Sequence, residues 1–159
     1  MFGLFKKRKE TAYESIASPV NGTAVEIGQV PDPMFAQEIL GKGVAIEPED
    51  GKIYAPVNGK ISALIHTNHA FSILTQGGAE VLVHLGIDTV KLEGKYFISY
   101  MKVGDEVKKG DLLVEVEIDK VKEAAKILAG WNGEKDEKSR KFLSDLKILS
   151  IEYNNAPLK

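Results

Sequence analysis

A mainly β, antiparallel sandwich or barrel built from duplicated hairpins, with short helices, is the fold this 159-residue sequence predicts. Three observations lead there. Ala17-Ser-Pro19-Val-Asn-Gly22 is echoed by Tyr54-Ala-Pro56-Val-Asn-Gly59, and an alternating apolar/polar segment follows each copy, Thr23 to Ile27 and Lys60 to Ile65. Asn-Gly favours a tight turn with positive φ at both central positions, so each copy reads as a hairpin of a duplicated β-unit. The second observation is Gly78 to Val90, an apolar run rich in β-branched residues, which pack well on a pleated surface. The third is Val103 to Lys120, in which two Gly-Asp turns, Gly104-Asp105 and Gly110-Asp111, punctuate alternating residues.

Taken in order, the chain opens with Phe2, Leu4 and Phe5 followed by four cations, Lys6 to Lys9. This is a tail over residues 1–12 that could tether weakly to an anionic membrane surface. After the first repeat, Phe35, Ile39 and Leu40 stand at helical spacing, which predicts a short helical turn over Met34 to Leu40. Leu40-Gly-Lys-Gly43 ends it as a plain turn. No Ser or Thr follows the lysine, so it is not a phosphate-binding loop. In Ile65-His-Thr-Asn-His-Ala-Phe71, an extended backbone places Thr67, His69 and Phe71 on one face and His66 on the other. The same alternation over residues 81–88 puts Val81, Val83, Leu85 and Ile87 toward a core. Leu82, His84, Gly86 and Asp88 take the opposite face. A titratable ring then stands beside a residue with no side chain, which leaves room for a large partner. Val121, Ala124, Ala125 and Leu128 form one face of an amphipathic helix, and Phe142, Leu146 and Leu149 a second stripe beyond the charge run of residues 134–141.

Composition closes off several classes. The 21 basic and 23 acidic residues nearly balance, so nothing points to nucleic acid. Without cysteine there is no disulfide, thiolate metal site or cysteine nucleophile. No apolar run reaches the roughly 20 residues of a membrane span, and the basic start lacks the apolar stretch of a secretory signal. The expected location is the cytoplasm.

Gly78 to Val90 also resembles a known signature: glycine, two free positions, three apolar residues, His, apolar, Gly, apolar, a free position, Thr, and Val or Ala. It is that of the glucose-type enzyme IIA domain of the bacterial phosphoenolpyruvate-dependent sugar phosphotransferase system. Thr67-Asn-His69-Ala-Phe71-Ser-Ile73 is similar to the family's second histidine segment, and Val30-Pro-Asp32-Pro-Met-Phe35 to its early partner-contact segment. The resemblance runs from about Ile16 to about Lys126, which assigns residues 13–126 to the domain and leaves 127–159 as a divergent segment. It implies a duplicated-hairpin fold and a phosphohistidine carrier, phosphorylated on His84 with His69 and Thr67 beside it. The donor would be the small histidine-containing phosphocarrier protein, and the acceptor the IIB cysteine of a sugar permease. Regulatory partners would be compatible with such a role.

The chemistry suits that reading. A neutral imidazole is a good nucleophile near pH 7 and a tolerable leaving group once phosphorylated. Phosphoryl transfer asks chiefly for positioning and for hydrogen bonds to the equatorial oxygens. Phe35, Ile39, Leu40, Ile65, Phe71 and Leu82 are the expected apolar rim, with Asp32 and Asp88 to meet cations on a partner. No cofactor is required. The His69–His84 pair, with Asp88, could take up zinc, although no His-Glu-x-x-His motif supports a dedicated site. The rival reading is a lipoyl- or biotinyl-type carrier domain modified at Lys120, because Val103 to Lys120 is similar to such domains. The Gly-Asp turns could equally report shared β-architecture.

Overall fold

The computed structural model describes residues 15–131 and 148–154. Among the described residues, ten strands fall into two sheets. The larger holds β1 (Gly22–Val25), β2 (Ala45–Pro48), β10 (Ile148–Asn154), β6 (Glu80–Leu85), β5 (Ala70–Leu74), β4 (Gly59–Leu64) and β8 (Glu106–Val107), side by side in that order. The smaller holds β3 (Lys52–Tyr54), β9 (Leu112–Val116) and β7 (Phe97–Ser99). Every pairing is antiparallel. Among the described residues there are two α-helices, α1 (Pro33–Ala36) and α2 (Ile118–Trp131), and two short 3-10 turns, Ile27–Gln29 and Thr89–Leu92. The β architecture expected from the hairpin pattern is therefore present.

Alternation builds the core. Val81, Val83 and Leu85 of β6 are fully buried, as are Ile73, Ile53 and Val114 from strands of both sheets. Each such aliphatic side chain contributes about 1.5–3 kcal/mol through removal from water. A smaller cluster, Ile27, Val30, Phe35 and Ala45, lies under the loop between β1 and β2, with Val25 and Ile87 packed on it. Ile87, expected in the main core, joins this satellite because β6 ends at Leu85 and Gly86 turns the chain with φ +82°.

The sequence repeat is a structural one. Ala17 N–H donates to Pro56 C=O at 2.9 Å, and Tyr54 N–H donates to Pro19 C=O at 2.7 Å. These are equivalent positions of the two copies, so the duplicated segments hydrogen-bond each other reciprocally. The Asn-Gly dipeptides are not positive-φ turns, contrary to expectation: neither Gly22 nor Gly59 has positive φ. Each opens a strand, and each is glycine because a neighbouring strand's backbone leaves no room. A Cβ on Gly22 would lie 2.1 Å from the Glu47 carbonyl oxygen, and one on Gly59 would lie 2.4 Å from that of Leu74.

Helical expectations are met in part. α1 is shorter than Met34 to Leu40, and Ile39 and Leu40 lie in the turn beyond it. The amphipathic segment around Val121 is helical, with Val121 buried. Leu149 belongs to β10, not to a second helical stripe. Phe142, Leu146, the charge run and the basic N-terminal tail lie outside the described residues. Among the described residues no helix is long and apolar enough to cross a membrane.

The Gly-Asp turns serve the sandwich. Asp105 and Asp111 each accept a bond from the backbone N–H three residues earlier, Lys102 at 3.0 Å and Lys108 at 2.8 Å. Their backbones tie to Ile61 and Ala55. Lys120 lies within α2 and pairs with Glu117, so it is not displayed at a hairpin tip as a lipoylated lysine would be.

The close backbone approach at Gly59 makes it sensitive to an added methyl group. Gly59→Ala is expected to cost about 2 kcal/mol through overpacking. Gly28→Ala, with no atom within 4 Å of the added methyl, should change stability by less than about 0.5 kcal/mol. Urea midpoints at unchanged slope check both.

Candidate functional site

Three segments meet at His84. β6 carries it on the face opposite Val83 and Leu85, alongside Leu82, as alternation predicts. Its neighbour across β5 is Ala70, whose small side chain leaves the ring free. His69 comes from the turn just before β5. Asn68 N–H donates to Ile65 C=O at 2.7 Å, and Asn68 takes φ +59°, so the segment is a tight turn and not extended. His69 C=O then accepts the Leu85 N–H at 2.7 Å, which locks the turn to the strand that holds His84. Phe35 is delivered by α1, whose start is capped by Asp32: the Met34 N–H donates to its carboxylate at 2.9 Å.

The ring geometry is specific. His69 and His84 pack edge to face with centroids 5.1 Å apart, and Phe35 lies 5.0 Å from His84 on a tilted plane. Thr67 Oγ1 and His69 Nδ1 are hydrogen-bonded at 2.5 Å, both residues being buried. His84 Nδ1 is buried and has no hydrogen-bond partner. Such an orphan costs about 1–3 kcal/mol and calls for an explanation in a native fold. The Gly86 backbone favours a proton on the ring.

Burial holds His84 neutral. Desolvation first, then the neighbouring His69, lower its pKa from the ordinary 6.5 to about 4, against weaker opposing effects of Gly86, Asp32 and Asp88. His69 is lowered too, by burial and then by His66. At neutral pH the site thus offers two uncharged imidazoles, one of them anchored by a hydroxyl.

The expected rim divides. Ile39, Leu40 and Ile65 are exposed by 58%, 42% and 42%, and Leu82 is half-buried. Phe71 is not at the surface. It is 1% exposed, pairs with Val83 and belongs to the core, because the turn at Asn68 breaks the alternation that would have aligned it with His69. Phe35 is also buried and forms a wall against His84 instead of a free rim. Asp88 is exposed at φ +54° and sits 3.7 Å from Lys91. Two exposed apolar residues in the same segments, Met34 and Val90, were not singled out by sequence. Met34 directly precedes Phe35, and that adjacency was the available signal. Among the described residues no group of three or more His, Asp or Glu is arranged to hold a metal.

Residues 14–129 match the family profile described as phosphoenolpyruvate-dependent sugar phosphotransferase system, EIIA 1. The chain belongs to this EIIA family. It is 48% identical over 129 residues to a PTS system glucose-specific EIIA component of Halalkalibacterium halodurans, spanning 79% of this chain and 75% of that one. It is 46% identical over 113 residues to a PTS system glucose-specific EIICBA component of Streptococcus pneumoniae, 71% of this chain but 16% of that longer one. The EIIA unit thus also occurs joined to EIIB and EIIC in one polypeptide. Among solved structures, glucose permease IIA from Mycoplasma capricolum is similar with a TM-score of 0.70 and 33% identity, covering 90% of this chain and 82% of that one. As a member of this EIIA family, the chain is a phosphoryl carrier of the sugar phosphotransferase system. The lipoyl-carrier alternative has no support from these matches.

The depressed pKa of His84 carries a stability consequence. The unfolded chain binds the proton below about pH 6.5 and the folded one only near pH 4. Stability is fully present above pH 6.5 and falls as pH drops toward 4, by about 3 kcal/mol over the window. Urea titrations at pH 7.5 and 4.5 should show this loss in the wild type and a much smaller one in His84→Gln.

Proposed function

We propose that His84 is the phosphorylated residue and that its Nε2 is the nucleophile. One observation carries this reading: the ring is buried at Nδ1, neutral at pH 7 and walled by Phe35 and His69. With Nδ1 turned inward, Nε2 is the nitrogen left for the surface, and a proton on Nδ1 gives Nε2 the free electron pair. In the forward step Nε2 attacks the phosphorus of a donor phosphohistidine. The P–Nε2 bond forms, the donor's P–N bond breaks, and the donor imidazole keeps that electron pair. In the return step a thiolate of the acceptor attacks phosphorus and His84 is the leaving group. The donor is the histidine-containing phosphocarrier protein and the acceptor the IIB cysteine of a sugar permease.

His69 assists as a hydrogen-bond donor to the phosphoryl group. Thr67 Oγ1 and His69 Nδ1 share a hydrogen bond; in this reading the hydroxyl donates, so His69 carries its proton on Nε2, on the side away from Thr67. Charge-assisted bonds to phosphoryl oxygens are the chief means of stabilising this transition state. Ile39, Leu40, Ile65, Met34 and Val90 are exposed, and in this reading they supply the apolar surface that partners dock on. Non-directional contacts let one face accept a donor and an acceptor of unrelated shape, and they exclude water from a labile P–N bond. Asp32 and Asp88 add a negative field that steers cationic partners. Zinc enters no step.

Two experiments test the reading. Supplied with phosphoenolpyruvate, enzyme I and the phosphocarrier, the wild type should acquire acid-labile, base-stable phosphate, and His84→Ala none. His69→Gln should still accept phosphate but pass it to IIB at least 10-fold more slowly. Persistent label in His84→Ala would overturn the assignment. The second concerns the rim. Ile65→Ser and Ile39→Ser, at exposed positions that leave the core intact, should slow transfer several-fold at any salt concentration. Asp88→Asn should slow it only at low salt, since screening removes steering.

A further inference from the structure

The larger sheet is two sub-sheets joined through one strand. β1 and β2 form one part and β6, β5, β4 and β8 the other, with β10 between them. β10 pairs with β6 over most of its length, but with β2 at two residues only. Ile148 stands between Leu85 and Ile46, and Leu149 between His84 and Ala45. Those are the positions that matter. Ala45 belongs to the satellite cluster with Phe35, and His84 is the ring on which Phe35 rests. The β1–β2 unit is held at its other end, near Gly22 and Pro48, by the reciprocal bonds between the repeats. Its site end, at Val25 and Ala45, is hydrogen-bonded toward the histidine strand through β10, beside apolar packing of Ile46 and Ile87.

We propose that β10 is a clasp: Ile148 and Leu149 hold the β1–β2 unit, and with it Phe35, in register against His84. Without the clasp the unit pivots about the repeat contact and the Phe35 wall leaves the histidine. A segment that follows α2, more than 60 residues beyond His84 in the chain, thereby positions the site without touching the reacting atoms. The effect on phosphoryl transfer rests on the phosphocarrier reading above. The ring contact does not, so the two can fail separately.

The test uses the full chain. Leu149→Pro removes a ladder donor where β10 is paired on both sides. Ser150→Pro falls where the β10–β6 register shifts and Ser150 has no register partner, a bulge-like place that tolerates proline. Leu149→Pro should abolish the nuclear Overhauser contact between the Phe35 and His84 rings and speed amide exchange at least 100-fold at whichever of Ala45 and Ile46 donates toward β10, while the amide that donates toward β1 stays protected. Protection in β4 and β5 should stay. Ser150→Pro should keep the ring contact. A Leu149→Pro protein that retains the contact overturns the proposal. If that variant does not fold, native-state exchange of the wild type in low urea decides. Leu149 and the β2 amide that donates toward β10 should open together below the global transition. Exchange of Leu149 in an opening that leaves that β2 amide protected would overturn the clasp.

Discussion

The packing of one neutral imidazole between an aromatic wall and a second imidazole is the constraint on which the rest depends. On the proposed reading, His84 has to be dry enough to stay unprotonated and open enough for Nε2 to reach a partner. Phe35 at 5.0 Å and His69 at 5.1 Å supply the dryness, and Ala70 across the strand supplies the space. The energy for holding an orphaned Nδ1 in that position comes from β6, whose alternate residues are fully buried. A site that costs stability is thereby mounted on the strand best able to bear it.

The three components come from distant parts of the chain, and each is fixed by a different device. α1 is set by the Asp32 cap, the histidine turn by left-handed Asn68 and the His69–Leu85 backbone bond, and His84 by strand register. Positive φ at the non-glycine residues Asn68 and Asp88 brackets the histidines. Such conformations persist only where the surroundings over-determine them. The site is therefore pre-organised before any partner arrives, which suits a chemistry that depends on positioning more than on covalent machinery.

Much of this was legible in sequence. The period of two placed His84 and Leu82 opposite Val81, Val83 and Leu85, and the repeat pointed to a duplicated β-unit. The Gly22 and Gly59 positions were legible as special, but their cause was not: the clash is with carbonyls of Glu47 and Leu74, which only pairing brings near. Phe71 was misplaced because alternation was carried through a turn whose positive φ at Asn68 no local pattern announced. β10 was missed because its place is set by pairing with residues more than 60 positions away, whereas helical spacing is read within a few residues. Local patterns specify elements. Non-local contacts specify neighbours, and the site is made of neighbours.

The central claim is that burial selects one nitrogen of one histidine. Long-range proton–nitrogen correlation spectra of protein labelled with nitrogen-15 in its histidines, recorded before and after phosphorylation, read this directly. The account predicts that His84 is neutral with its proton on Nδ1 at pH 7, and that phosphorus is bonded to His84 Nε2 afterwards. Phosphate on His69, or on His84 Nδ1, would contradict it.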